Sequence, residues 1–533
     1  MRNNSKTDNM TKHFYERNDW LLNHETNKTF EEVQWMTEDE FRQWFIDLRK
    51  AVVHSWDTMG QPPRVGWDEG AIKKQFKEMY GFSVHEFEHV DELTGEKDVI
   101  RNTSVVGNAA NQWFPTMMKT RINYTKNDDG LSIYDHFLKD ELLEKTLKYS
   151  KRHFKRDSFY AYSNTVKVNE IINVGSYNVK FKNGDDFVRW FEENNIRQYG
   201  YDYWVESRDD DEEYTGYNEQ LKGVKYLEVT QEILETIPTK STMNIKSHDQ
   251  KKYRLRMYKY GQKIFPVGLK AFRVSWCQYA VNFPPLTAKL LYEKFTRHVK
   301  NQDRIVVYDP SSGWGGRILG AMASRTSLPL HYVGTDPNTD HSISSDSGSP
   351  STKYADLAEF YNSAKNEGVL FEQSNTYEVF QLGSEVIRDD SSFQKYKGEL
   401  DMVFTSPPYF AKEAYSEDPT QSYKKFTGYD AWREGFLRPT LETAVEYLRN
   451  DRYLLWNIAD AKFGADMLPL EKDSKDILES LGMQFKGVVK MALAQMPGGN
   501  RIDPDTGLPK AKNFCKVNGM WLKYEPIFVF YKP

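Results

Sequence analysis

The chain has 533 residues and a mass of 62.5 kDa, more than one hydrophobic core usually fills, so two or three domains are expected. With 39% hydrophobic, 28% charged and 14% aromatic residues and a mean hydropathy of -0.74, it is a polar chain that draws its apolar surface from Tyr, Phe and Trp, which excludes disorder throughout. A net charge of -5 and a pI of about 6.2 exclude a globally cationic nucleic-acid binder, so phosphate contacts have to come from a local basic surface.

No apolar stretch is long enough to cross a bilayer, and Met1-Arg2-Asn3-Asn4-Ser5-Lys6 leads into further polar residues. A soluble, cytoplasmic protein with no membrane contact is expected, in a prokaryotic cell or virus-encoded in an infected one. Cys277 and Cys515 are far apart and lack His-rich or Cys-rich neighbours, so neither a disulfide framework nor a metal site is expected. The oligomeric state cannot be read from these letters.

Residues 1–36 are polar. Thr37-Glu38-Asp39-Glu40 then has the spacing of a capping box and opens a helical pattern through Phe41, Trp44, Phe45 and Leu48. A turn at Gly60-Gln61-Pro62-Pro63 precedes a second helical stretch, Gly70 to Tyr80. Trp113 and Phe114, beside Asn111 and Gln112, read as a base-reading surface or as core with polar caps. Lys148 to Arg156 interleaves five Lys and Arg with aromatics, a pattern that suits phosphate contacts or a solvated helix face. Asp209 to Glu213 reads as an exposed acidic loop.

From Lys246 to Lys263 the chain turns basic, and Lys251, Lys252, Arg254 and Arg256, interleaved with Tyr253 and Tyr258, form its strongest phosphate-binding candidate. The texture changes near Gly261. The expected organisation is a polar segment (1–36), a mixed, mainly helical N-terminal domain (37–261) and an α/β domain (262–533), in which short apolar runs alternate with helical stretches as βαβ units require.

Within that last domain Arg304 to Tyr308 is a buried-strand candidate running into Asp309-Pro310-Ser311-Ser312-Gly313-Trp314-Gly315-Gly316-Arg317 and then a helix. Gly313 and Gly315 let a ligand approach the main chain, and the helix terminus offers free N–H groups to an anionic end. His331 to Thr335 is the next strand, ending at Asp336, an acid about twenty residues beyond the glycines, where folds that bind nucleosides place a ribose acceptor. A third strand, Tyr377 to Leu382, ends near Glu385, either an acceptor for an adenine amine or a simple helix cap. A fourth, Leu400 to Phe404, stops at Thr405-Ser406-Pro407-Pro408-Tyr409-Phe410. The prolines hold the Ser406 hydroxyl and the Pro407 carbonyl at a rigid corner beside an aromatic plate, suited to a planar heterocycle with an exocyclic amine. A plain strand-ending turn followed by core aromatics fits the same letters.

Asp309-Pro310 with Gly313 and Gly315, then Asp336, then Thr405-Ser406-Pro407-Pro408-Tyr409, resemble the motifs of S-adenosylmethionine-dependent DNA amino-methyltransferases, which methylate N4 of cytosine or N6 of adenine. The resemblance covers the second half of the chain. Phe283-Pro284-Pro285-Leu286-Thr287 is similar to the segment that precedes the glycine motif, giving a gamma-like motif order, and Tyr453 to Ile458, Phe485 to Leu493 and Glu525 to Phe530 resemble the closing strands. Ser311 stands where the family commonly has Phe, and no target-recognition domain follows the catalytic motif.

The resemblance implies a Rossmann-like α/β methyltransferase domain and S-adenosylmethionine as cofactor, held by Phe283, Thr287, Asp309, Ser311, Gly313, Gly315, Asp336 and Glu385. It also implies DNA as partner, with Ser406, Pro407, Pro408 and Tyr409 at a flipped base and no metal. Lys251, Lys252, Arg254, Arg256 and Lys412 are the phosphate-contact candidates, and the loop from Ala411 to Thr427 is placed to close over the nucleotide. Ser at position 406 favours N4 of cytosine. N6-adenine methylation, modification of RNA or a protein amide on the same fold, and a DNA-binding scaffold without turnover remain the alternatives.

Overall fold

The computed structural model describes residues 26, 28, 32, 36–59, 69–102, 130–143, 280–337, 342–343, 351–366, 374–493 and 502–533 apart from 417, 465, 504 and 511, with parts of 110–122 and the strands between 163 and 259. The chain forms two compact units. One comprises Met1–Glu16, Gly66–Ser132 and Tyr279–Pro533, and the other Arg17–Val65 and Ile133–Gln278. Residues 66–132, which the sequence analysis assigned to the N-terminal domain, thus share a unit with the C-terminal half.

The first unit is built on α1 (Glu69–Gly81), β1 (Glu88–His89), β2 (Val99–Ile100), β3 (Arg121–Ile122), α2 (Pro285–Thr296), β4 (Ile305–Asp309), α3 (Gly316–Met322), β5 (Leu330–Thr335), α4 (Lys353–Asn366) and β6 (Thr376–Phe380). It continues through β7 (Leu400–Thr405), β8 (Glu413–Ala414), α5 (Arg438–Tyr447), β9 (Leu448–Asn457), α6 (Leu470–Ser480), β10 (Gln484–Ala492), β11 (Phe514–Val517) and β12 (Met520–Lys532). A ten-stranded sheet runs β1-β2-β10-β12-β9-β7-β4-β5-β6, with β11 added beside β12. β6, β5, β4, β7 and β9 are mutually parallel, and β12 enters antiparallel between β9 and β10.

This is a Rossmann-like α/β fold, and its strands show why. β4, β5 and β7 are buried at every position, as expected of parallel strands covered on both faces. Alternate residues feed two cores: Val307, Met402 and Phe404 join one with helices α1 to α4, while Val306, Tyr308 and Val403 join the other with α5 and α6. From β4 the chain moves outward to β5 and β6, then returns to β7 on the other side of β4. The carboxyl ends of β4 and β7 therefore flank the switch point of the sheet, where such folds bind ligands.

In the second unit, Thr37 and Glu40 form the expected capping box, with Thr37 N donating to Glu40 Oε2 at 2.8 Å and Glu40 N to Thr37 Oγ1 at 3.3 Å. It opens a helix from Glu38 to Met59 that buries Phe41, Trp44, Phe45 and Leu48. Beyond it lies a five-stranded sheet in the order Ser163–Lys167, Thr242–Lys246, Lys252–Lys259, Tyr199–Glu206, Lys225–Leu227. Among the described residues of this region, which was expected to be mixed and mainly helical, these strands stand beside the helix. Its basic run, Lys-Tyr-Arg-Leu-Arg-Met-Tyr-Lys, alternates charged and apolar residues over most of its length, a period-2 strand pattern that also reads as a charge cluster. Lys252, Arg254 and Arg256 occupy alternate positions of that strand, whereas Lys251, the 148–156 run, the 209–213 acids and the Gly261 boundary lie outside the described residues.

Candidate active site

The glycine turn between β4 and α3 is held from several sides. Asp309, ending β4, is fully buried, and its carboxylate accepts from Arg317 Nε at 2.8 Å, Tyr332 Oη at 2.6 Å, Thr405 Oγ1 at 2.6 Å and Ser311 N at 3.2 Å. Arg317 also donates to the Ser311 carbonyl, closing the turn on itself. Burial disfavours its charge, but Asp309 together with the Tyr332 and Tyr292 phenols outweighs that and raises the guanidinium pKa above its ordinary value. Asn282 clamps the outer side, accepting from Gly316 N at 3.2 Å and donating to the Trp314 carbonyl at 2.7 Å.

Gly313 and Gly315 both adopt positive φ, +61° and +74°, which favours glycine. Their surroundings differ. A Cβ on Gly315 would run into the Phe114 ring, whereas the nearest atom to a Cβ on Gly313 would be 3.5 Å away, so Gly313 keeps the open side of the turn. Gly313 N donates to Asp336 Oδ2 at 3.0 Å and its carbonyl accepts from the Tyr354 hydroxyl, which fixes the acid at the lip of the turn.

The corner after β7 is anchored on two sides. Thr405, its last strand residue, bonds Asp309 and so ties the corner to the glycine turn. Phe410, at φ +56°, is 6% exposed and packs edge-on against Tyr429, Trp432 and Phe463. A left-handed Phe costs about 1–2 kcal/mol, and burial of the ring holds it there. Between these anchors Ser406 is half-buried and lies near the Tyr409 phenol. Tyr409 crosses the end of β9, passing the Asn457 carbonyl at 3.5 Å, and donates to Glu525 Oε1 on β12. Burial, then the Glu525 charge, pushes the Tyr409 pKa well above the phenol range.

Burial also raises the pKa of Glu525, against the lowering effects of the Tyr409 hydrogen bond, Lys412 and Lys523. Glu413, just beyond the corner, is raised by burial and by Glu525, against Tyr415 and Lys412. The segment after the corner is pinned: β8 pairs with β3, and the Tyr415 ring meets Trp314 of the glycine turn at 5.4 Å.

The structure therefore brings Asp309, Ser311, Gly313, Gly315, Asp336, Thr405, Ser406 and Tyr409 to one end of the sheet. Glu385 is nearly buried and its carboxylate is engaged by Lys425. Phe283 packs edge-on to Phe404, with Arg317 over its ring at 5.8 Å. Thr287 is enclosed within α2, and its hydroxyl has no hydrogen-bond partner among the described residues. Phe410 belongs to the core, as do Trp113 and Phe114. Arg317, Asn282, Glu413 and Glu525 were assigned no role from sequence, although a lone acid opening the apolar run Pro526 to Phe530 was a signal for the last of them.

No helix among the described residues is long and apolar enough to cross a membrane, and no cluster of potential metal ligands occurs among them. No protein-family model and no curated protein matches the chain. Solved structures with some likeness include a precorrin-6y C5,15-methyltransferase from Geobacter metallireducens, 12% identical over 46% of this chain and 87% of that one, with a TM-score of 0.25. A TehB-like SAM-dependent methyltransferase from Corynebacterium glutamicum is 12% identical over 50% and 94%, with a TM-score of 0.22. A candidate DNA modification methylase from Thermus thermophilus, complexed with S-adenosyl-L-methionine, is 20% identical over 26% and 49%, with a TM-score of 0.17. Such identities and scores transfer no activity, and the fold assignment rests on the strand order itself.

Proposed function

We propose that the chain is a methyltransferase that uses S-adenosylmethionine to methylate an exocyclic amine of a DNA base, N4 of cytosine ahead of N6 of adenine. The observation that carries this reading is the corner Thr405-Ser406-Pro407-Pro408 at the switch point, tied through Asp309 to the glycine turn. The donor set fits the cofactor: Gly313 leaves its main chain open to close approach, and Asp336 presents a carboxylate at the lip of the turn. Gly313, Gly315, Asp336 and Glu385 would hold it, with Ser311, Phe283 and Thr287 behind them, while Asp309 acts as the anchor of the turn. Bound there, S-adenosylmethionine supplies an electrophilic methyl group.

The amine of a base is a poor nucleophile because its lone pair is delocalised into the ring, and inside a duplex it is out of reach, so the base has to be flipped out. The Ser406 hydroxyl and the Pro407 carbonyl accept the amine hydrogens and localise the lone pair, and the flanking prolines keep both acceptors fixed before the base arrives. Lys251, Lys252, Arg254, Arg256 and Lys412 supply phosphate contacts. Neutralising Lys252, Arg254 and Arg256 together should reduce the salt slope of DNA binding by up to about 0.9 per lost contact.

The test is mass analysis of nucleosides from unmethylated DNA incubated with the protein and S-adenosylmethionine. N4-methylcytosine is expected. N6-methyladenine alone overturns the choice of base, and no methylated nucleoside overturns DNA methylation. Ser406→Ala should remove most of the turnover and leave cofactor affinity intact.

A further inference from the structure

Ser406 brings no carboxylate of its own, and a hydroxyl is a weak proton acceptor unless a base stands behind it. An amine that takes a methyl group on its lone pair becomes cationic and must lose a proton. The corner places a hydroxyl and a carboxylate behind Ser406. The Ser406 hydroxyl lies near the Tyr409 phenol, three residues on at the same corner, and the Tyr409 hydroxyl donates to Glu525 Oε1. The end of β9 braces this path, since Asn457 Nδ2 donates to the carbonyl of Pro526, next to Glu525, at 3.0 Å. Buried Phe410 fixes the backbone from which Tyr409 projects.

We propose that Ser406, Tyr409 and Glu525 form a hydroxyl relay that carries the amine proton away from the corner, with the Glu525 carboxylate as its terminal acceptor; the assignment rests on the methyl-transfer reading above. The amine N–H breaks as Ser406 Oγ takes the proton, the Ser406 proton passes to Tyr409 Oη, and the Tyr409 proton passes to Glu525. Three O–H bonds form while one N–H and two O–H bonds break, and the positive charge of the methylated amine is neutralised against the carboxylate. Glu525 is faced by Tyr409, Lys412 and Lys523, with Glu413 as the nearby like charge. Burial brings its pKa closer to neutrality, which suits an acceptor at physiological pH.

Glu525→Gln removes the acceptor without changing shape, and Tyr409→Phe removes the relay hydroxyl but keeps the ring. Each should lower the single-turnover methylation rate by about 100-fold, the usual range for losing acid–base assistance starting there. Each should also abolish the acidic limb of the pH–rate profile and leave S-adenosylmethionine affinity within twofold by calorimetry. In the protein without cofactor, an infrared carboxyl band that titrates in the wild type should vanish in Glu525→Gln and move to higher pH in Tyr409→Phe, which removes a hydrogen bond to the carboxylate. Wild-type rates with an unchanged acidic limb overturn the relay, as does a slowed Glu525→Gln that keeps the limb. If Glu525→Gln does not fold, Tyr409→Phe decides by the same criteria. A wild-type protein that methylates no DNA overturns the parent reading and the relay with it, whereas a methylating wild type with indifferent variants overturns the relay alone.

Discussion

Replacing Asp309 by Asn keeps the shape of the side chain and removes its charge. The consequence is large because Arg317 is 5% exposed and has Asp309 as its ion-pair partner at 2.8 Å. Removing one member of a buried pair costs about 3–5 kcal/mol, since the other charge stays buried and uncompensated. The hydroxyls of Tyr332 and Thr405 would in addition face an amide in place of one of the carboxylate oxygens to which they donate. At roughly 2–4 °C per kcal/mol for larger domains, the melting transition followed by Trp fluorescence should fall by at least about 6 °C. Adding Arg317→Met removes the stranded charge and should return part of the loss, which a double-mutant cycle measures as coupling between the two sites. A shift below about 2 °C for Asp309→Asn would refute the claim that this pair locks the glycine turn.

Asp336→Ala removes the acceptor at the lip of the turn and the partner of Gly313 N, so S-adenosylmethionine affinity measured by calorimetry should drop roughly tenfold or more, as for a lost charged hydrogen bond, with the melting transition little changed. Gly315→Ala places a Cβ against the Phe114 ring at a φ of +74° and should destabilise by about 2–5 kcal/mol in chemical denaturation, strain and overpacking together. Burial, then the Glu525 charge, raises the Glu413 pKa above the ordinary carboxylate value, so the folded state binds the Glu413 proton more tightly than the unfolded chain. Wild-type stability should therefore fall relative to Glu413→Gln as pH rises from about 4.5 through the raised pKa, and melts at pH 5 and pH 8 should show the gap widening.

The middle of the sheet was legible in the sequence because β4, β5 and β7 are buried on both faces. Ile305 to Tyr308 and Leu400 to Phe404 are short, nearly unbroken apolar runs bounded by Gly, Pro and Ser, and their observed limits differ from the expected ones by about one residue. The capping box at Thr37 was legible for the same local reason, since its partners are three residues apart. Arg317 and Asp309 were different. Both stood in the glycine motif, yet Asp309 is also held by Tyr332 and Thr405 from two other strands, and no local pattern reports a contact 96 residues away. The strand from Lys252 to Lys259 was visible as charge and missed as period, because alternation of Lys and Arg with Tyr, Leu and Met over most of its length produces both signals.

Tyr409 combines these cases. Its place after two prolines marked it as part of the corner, but its hydroxyl is directed by residues 48 and 116 positions away. The corner is thus held on one side by Asp309 through Thr405 and drained on the other by Glu525 through Tyr409, and the two sides do different work. Loss of the Asp309 charge should lower stability and leave the shape of the pH–rate profile intact, because no relay proton crosses that carboxylate. Loss of the Glu525 charge should do the reverse, since a raised pKa means that its ionised form is a cost to the fold. If both substitutions instead lowered stability alike and left the acidic limb in place, Glu525 would be a second anchor and the corner would have no acceptor behind its serine.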